Sequence, residues 1–143
     1  MVQAVDINYL AVLVAAISNM VLGFLWYGPF FGKSWMKLMN LDKKKMEEAK
    51  KKGMGKTYAL AFVGALVMAY VLAHAIVFAS AYLDVDGISA GLMAGFWNWL
   101  GFIVPVMLGM VLWDNKPWKL YFLNVGYYLV SLLVMGVILA VWA

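Results

Sequence analysis

Four apolar runs, each about 20 residues or longer, leave few folds open to this 143-residue chain. They cover residues 7–27, 57–83, 88–112 and 120–142. An α-helix rises about 1.5 Å per residue, so each run reaches across a hydrocarbon core of about 30 Å. The runs are apolar around the whole helix circumference rather than along one stripe, which suits lipid better than a soluble surface. Helices also satisfy their backbone polar groups within one segment, as lipid requires. The chain is therefore expected to be all-α, a polytopic membrane protein whose residues 1–143 form a single four-helix transmembrane domain. Composition agrees: with 66% hydrophobic and 13% charged residues there is too little polar surface to cover a soluble globule.

Charge is distributed as topology demands. The connection over residues 28–56 carries nine lysines against Asp42, Glu47 and Glu48, a net +6. The next carries only Asp84 and Asp86, and the third has Lys116 and Lys119 with Asp114. Lysine excess is retained on the cytoplasmic side, so loops 28–56 and 113–119 are expected inside and both termini outside. The aromatic stretch from Trp26 to Trp35 then marks a membrane surface, where ring bodies meet polar tips. Topology thus accounts for most of the overall +4 charge, and no nucleic-acid partner is expected. The expected partner is the bilayer, with anionic lipid attracted to the lysine-rich loop. No cleaved leader is expected: Asp6 replaces a basic start, and Trp26-Tyr27-Gly28-Pro29 replaces a small-residue cleavage site.

Local signals refine the spans. Residues 33–39 suit an interfacial helix with Trp35, Met36 and Met39 toward lipid. Asp42 suits the cap of a short helix ending at Gly53. Asp84-Val85-Asp86-Gly87 reads as a tight outer turn, with Asp86 or Ser89 capping the third span. Pro105 cannot donate to the Gly101 carbonyl, so a bend is expected there. Small-residue ladders at Ala61, Ala65, Ala69 and Ala73, at Gly87, Gly91 and Gly95, and at Ala11, Ala15, Asn19 and Gly23 predict close helix crossings.

Chemistry is sparse. The chain has no Cys, one His and seven acids, so thiolate chemistry is excluded and neither a metal site nor a cofactor is expected. Gly55-Lys56-Thr57 lacks the earlier glycine of a phosphate loop, and Asp84-Val85-Asp86-Gly87 lacks the later ligands of a calcium loop. Membrane-buried polar groups are the remaining candidates. Counting inward at ~1.5 Å per residue puts Ser18, His74, Asn98 and Ser131 all about 14–17 Å deep. Asn19, Tyr70, Trp97, Tyr127 and Tyr128 lie near the same level. Together these nine define a candidate midplane pocket for a small, largely apolar solute, with His74 as a potential proton carrier. The alternative is structural, the same groups bridging helices. No acid–base pair or activated nucleophile accompanies His74, so no catalytic residue is assigned.

Weak similarity between the halves links Leu22-Gly23-Phe24 and the following Pro29 and Trp35 with Leu100-Gly101-Phe102, Pro105 and Trp118. It matches either a parallel repeat or a chance recurrence of interfacial residues. Trp26-Tyr27-Gly28-Pro29, Phe31-Gly32-Lys33 and Trp35, Trp99-Leu100-Gly101-Phe102, Pro105, Lys116-Pro117-Trp118-Lys119-Leu120 and Asn124-Val125-Gly126-Tyr127 carry a broader likeness. On these the chain resembles the small bacterial and archaeal membrane proteins grouped as domain of unknown function 1761. The resemblance implies a four-helix protein of a prokaryotic cytoplasmic membrane and supplies no substrate. The expected role is a non-enzymatic packing or accessory membrane component. The alternative is a small-solute or proton transporter, which would need a homo-oligomer because four short spans enclose little space.

Overall fold

The computed structural model describes residues 6–142. Residues 1–5 and 143, and with them the two chain ends expected on the outer side, lie outside the described residues. Helices α1 (Tyr9–Leu25), α2 (Gly32–Leu38), α3 (Lys43–Lys51), α4 (Gly55–Leu83), α5 (Gly87–Phe102), α6 (Val104–Met107), α7 (Gly109–Leu112) and α8 (Trp118–Val141) follow in order. Among the described residues there is no strand. The membrane-length units are Tyr9–Phe30, Gly55–Leu83, Gly87–Leu112 and Trp118–Val141, of 22, 29, 26 and 24 residues. Each exceeds the ~20 residues that span hydrocarbon.

The ends of the helices follow their sequences. Asn8 starts α1 by accepting the backbone N–H groups of Leu10 and Ala11 at 3.1 and 3.2 Å. Its amide also donates to the Trp142 carbonyl at 2.7 Å, joining the first span to the last. Asp42 caps α3 by accepting from the Lys45 N–H at 2.8 Å, and Gly53, at φ 87°, lies just beyond that helix. Between α4 and α5 the chain turns through Asp84 at φ 53° and Gly87 at φ 57°. Asp86 holds the N-cap position of α5, but its side chain makes none of the expected capping bond; Ser80 Oγ instead ties the turn from α4 by donating to the Val85 carbonyl.

Two proline sites depart from straight helix. The first span was expected to end at Tyr27; it continues through a π-helical turn, Trp26–Phe30, which encloses Pro29. Pro29 has no N–H to give an α-helical ladder, and the wider turn instead bonds the Phe31 N–H to the Trp26 carbonyl at 2.9 Å. The chain then folds back so tightly that a Cβ on Gly32 would lie 2.9 Å from the Tyr27 carbonyl. In the third span the expected bend is an interruption: α5 stops at Phe102, and α6 and α7 follow as two single-turn pieces. The Tyr121 hydroxyl donates to the Val104 carbonyl at 2.8 Å beside this break.

The spans form a ring in which α1 meets α4, α4 meets α5, α5 meets α8 and α8 meets α1, with α4 and α8 also touching across the middle. Sequence neighbours therefore run antiparallel, as short connections favour. The α5–α8 contact is the most extensive, because Gly91 and Gly136 bring the two backbones together and a Cβ on either would strike the other's carbonyl. The core lies toward the Asp84 turn, where Ala11, Ala15, Ala69, Ala73, Ala90 and Ala94 surround Leu132, Met135 and Leu139. At the lysine-bearing end α8 stays buried at Leu120 and Tyr121, but α1 and α4 pack more loosely. The first buried residue of α4 is Ala65, so Ala61 at the head of its ladder stays exposed, and no residue of α1 beyond Asn19 is buried.

Candidate functional site

The loose end of the bundle is organised by α8. The π-turn carries Trp26 and Tyr27 inward: Trp26 Nε1 donates to the Leu123 carbonyl at 3.1 Å, and the Tyr27 hydroxyl donates to Asn124 Oδ1 at 2.7 Å. From the third span, Trp99 Nε1 donates to the Val125 carbonyl at 2.7 Å. One turn deeper, the Tyr127 hydroxyl donates to the Asn19 carbonyl at 2.9 Å, and the Asn19 amide donates to Ser131 Oγ. Asn19 and Ser131 are 8% and 1% exposed, yet the pair satisfies itself. Among the described residues no buried side-chain nitrogen or oxygen lacks a partner. Tyr27 meets Tyr127 edge to face at 5.3 Å and Trp35 at 5.7 Å, completing an aromatic layer.

In front of this layer lies a groove of about 800 Å³ between α1 and α4. Met20, Phe24 and Tyr27 form one wall, and Tyr58, Ala61, Gly64 and Met68 the other. Tyr127 and Tyr128 form the floor, Asn19 contributes to the lining, and Trp35, Met46 and Met54 close in from the lysine-rich loop. Phe24 and Tyr58 meet edge to face across the gap at 5.6 Å. Thioethers and rings make a soft apolar lining that adapts to ligand shape. Among the described residues no cluster of three His, Cys, Asp or Glu side chains could hold a metal ion.

The structure brings together part of the midplane set. Asn19, Tyr127 and Ser131 form one bonded cluster, and Tyr128 lines the groove beside them. Ser18, Tyr70, His74, Trp97 and Asn98 do not line it. Ser18 Oγ donates to the Ala15 carbonyl at 2.6 Å and Asn98 to the Ala94 carbonyl at 2.8 Å, each within its own helix. Tyr70 and Trp97 are 44% and 58% exposed on the outer surface. His74, expected to reach a neighbouring span, instead places Nδ1 2.9 Å from the Tyr70 carbonyl one turn back. Depth along the axis was common to all nine, but the direction each side chain leaves its helix was not. The residues that depth counting missed are Trp26, Tyr27, Trp35, Asn124 and the groove methionines. Trp35, expected toward lipid, packs on Tyr27. Trp26, Tyr27 and Asn124 were signalled by the Trp26-Tyr27-Gly28-Pro29 and Asn124-Val125-Gly126-Tyr127 motifs and Trp35 by the aromatic stretch, while nothing in the sequence marked the methionines.

A family model described as protein of unknown function (DUF1761) matches residues 10–140. The chain belongs to this family. No curated protein and no solved structure matches it. Segments that carried the resemblance to DUF1761 converge on α8: Trp26 and Tyr27 from the π-turn and Trp99 before the third-span break donate to Leu123, Asn124 and Val125 in turn. In this DUF1761 chain Trp26, Tyr27 and Tyr127 from those segments build the aromatic layer behind the groove.

Proposed function

We propose that this protein is a non-enzymatic accessory component of the prokaryotic cytoplasmic membrane that binds a small, largely apolar molecule in the groove between α1 and α4. One observation carries the reading: the groove has about 800 Å³, inside the ~300–1,000 Å³ of small-molecule sites, and is mostly apolar with a few fixed polar groups. Asn19 and Tyr127, which line it, are already bonded to each other, and Asn19 also to Ser131 behind them, which suits a preformed wall better than reacting groups. Binding is preferred to passage because Ala69, Leu72, Ala94, Leu132 and Met135, none more than 6% exposed, fill the bundle toward the Asp84 turn.

Ala61 is exposed and lines the groove, so Ala61→Trp fills it without entering the core. The test is native mass spectrometry of delipidated protein with added monoolein, a neutral apolar probe. Wild type should retain monoolein, and Ala61→Trp, at an unchanged unfolding temperature, should retain at least about tenfold less. Equal retention by the two proteins would remove the groove as the binding site.

A further inference from the structure

We infer that the groove receives one acyl chain of an anionic phospholipid from the leaflet at the lysine-bearing end, with the headgroup held by lysines at the groove's mouth. The inference rests on the groove being a binding site and adds the class of ligand. Its first support is dimensional. The groove runs on α4 from Tyr58 to Met68 and along the first span from Tyr27 in the π-turn to Asn19 on α1, about 12–15 Å of rise at ~1.5 Å per residue. Half of a ~30 Å hydrocarbon core is about 15 Å, the depth of one leaflet. The groove ends near the membrane midplane, where an acyl chain ends.

The second support is charge at the mouth. On α3, Met46 enters the groove, and Lys43 and Lys50 stand three residues before and four after it, on the same helix face. Lys56 lies in the first turn of α4, at the level of the lining residues Met54 and Tyr58 but on another side of the helix. All three lysines are exposed. Lysines near a membrane surface favour anionic lipid by about fivefold each, the equivalent of ~1 kcal/mol. The same charges disfavour a second copy of this chain as occupant, since it would bring its own +6 loop against this one. The adaptable lining of Met20, Met46, Met54 and Met68 suits chains of varied length and saturation.

The test compares phosphatidylglycerol with phosphatidylcholine of identical acyl chains, titrated onto delipidated protein in detergent and read by native mass spectrometry. Wild type should bind phosphatidylglycerol at least about fivefold more tightly. That preference should vanish in Lys43→Gln/Lys50→Gln/Lys56→Gln, while Ala61→Trp should lose both lipids. Gly64→Phe, at a lining position where an added Cβ meets nothing within 4 Å, repeats the block should Ala61→Trp misfold. Equal binding of the two lipids to wild type, lost on blocking, would overturn the headgroup assignment and leave the groove as a site. A phosphatidylglycerol preference that survives the triple substitution would overturn the role of these lysines. Lipid binding unaffected by either block would sink the groove itself. Dimers that disappear on blocking, with no lipid bound, would make the occupant a second copy.

Discussion

At the scale of single residues, the cost of polar groups in lipid decides which contacts matter. Asn19 and Ser131 are buried within the bundle, and each is the other's partner. Cross-span bonds of this kind average ~0.6 kcal/mol, because the unfolded chain in the membrane also finds partners. A double-mutant cycle on Asn19→Ala and Ser131→Ala, read by unfolding in mixed detergent, should give a coupling of about that size. A coupling indistinguishable from zero would mean the two side chains do not bond. Tyr127→Phe should cost about 0.5–1.5 kcal/mol through the lost bond to the Asn19 carbonyl. His74→Leu belongs to a different class. Its partner is its own helix and its ring is partly exposed, so stability should change by less than about 0.5 kcal/mol. A larger loss would show a contact beyond Tyr70.

Among the elements, α5 and α8 approach most closely because glycine occupies both sides of their crossing. Adding one methyl at Gly91 places it against the Gly136 carbonyl, backbone against which no side chain can yield. Gly91→Ala should therefore lower stability by about 1–3 kcal/mol, the usual range for overpacking. Gly64→Ala is the matched control on α4: nothing lies within 4 Å of its added Cβ, and replacing a mid-helix glycine should leave stability unchanged or raise it by about 0.5–1 kcal/mol. Thermal unfolding of the two variants in one detergent compares them directly. Equal melting temperatures would mean that the crossing is looser than the structure has it.

For the whole molecule, the bundle has two unlike ends. One is a dry core of alanines around Leu132, Met135 and Leu139; the other is an aromatic layer with a groove in front and a lysine-rich loop above. We place the lysine end in the cytoplasm on the strength of the +6 loop. The chain has no Cys, so Ser34→Cys and Asp86→Cys, both at exposed positions, give clean reporters. An impermeant thiol reagent applied to intact cells should label the Asp86 variant and spare the Ser34 variant. The reverse pattern would invert the protein in the membrane.

How much of this was legible in the sequence depends on the kind of quantity involved. Hydrophobicity adds along a chain, so four spans, the lysine-bearing end, the Asp42 cap and the turn at Asp84 could all be read from local residues. The alanine and glycine ladders likewise pointed to close crossings, although Ala61 proved to border the groove and Gly87 the turn. Direction around a helix axis is not local in that way. The π-turn at Pro29 adds a residue to one turn, and Trp26 and Tyr27, read as marking a membrane surface, also bond α8, which the local residues did not show. His74, Asn98 and Ser18 share a depth with Asn19 but bond their own helices, because neighbouring spans stand on other sides. The sequence by itself determined that this chain has four helices long and apolar enough to cross a membrane and which end carries charge. Only the tertiary structure decided which polar groups meet and that a groove opens between α1 and α4, since both depend on how four helices turn toward one another.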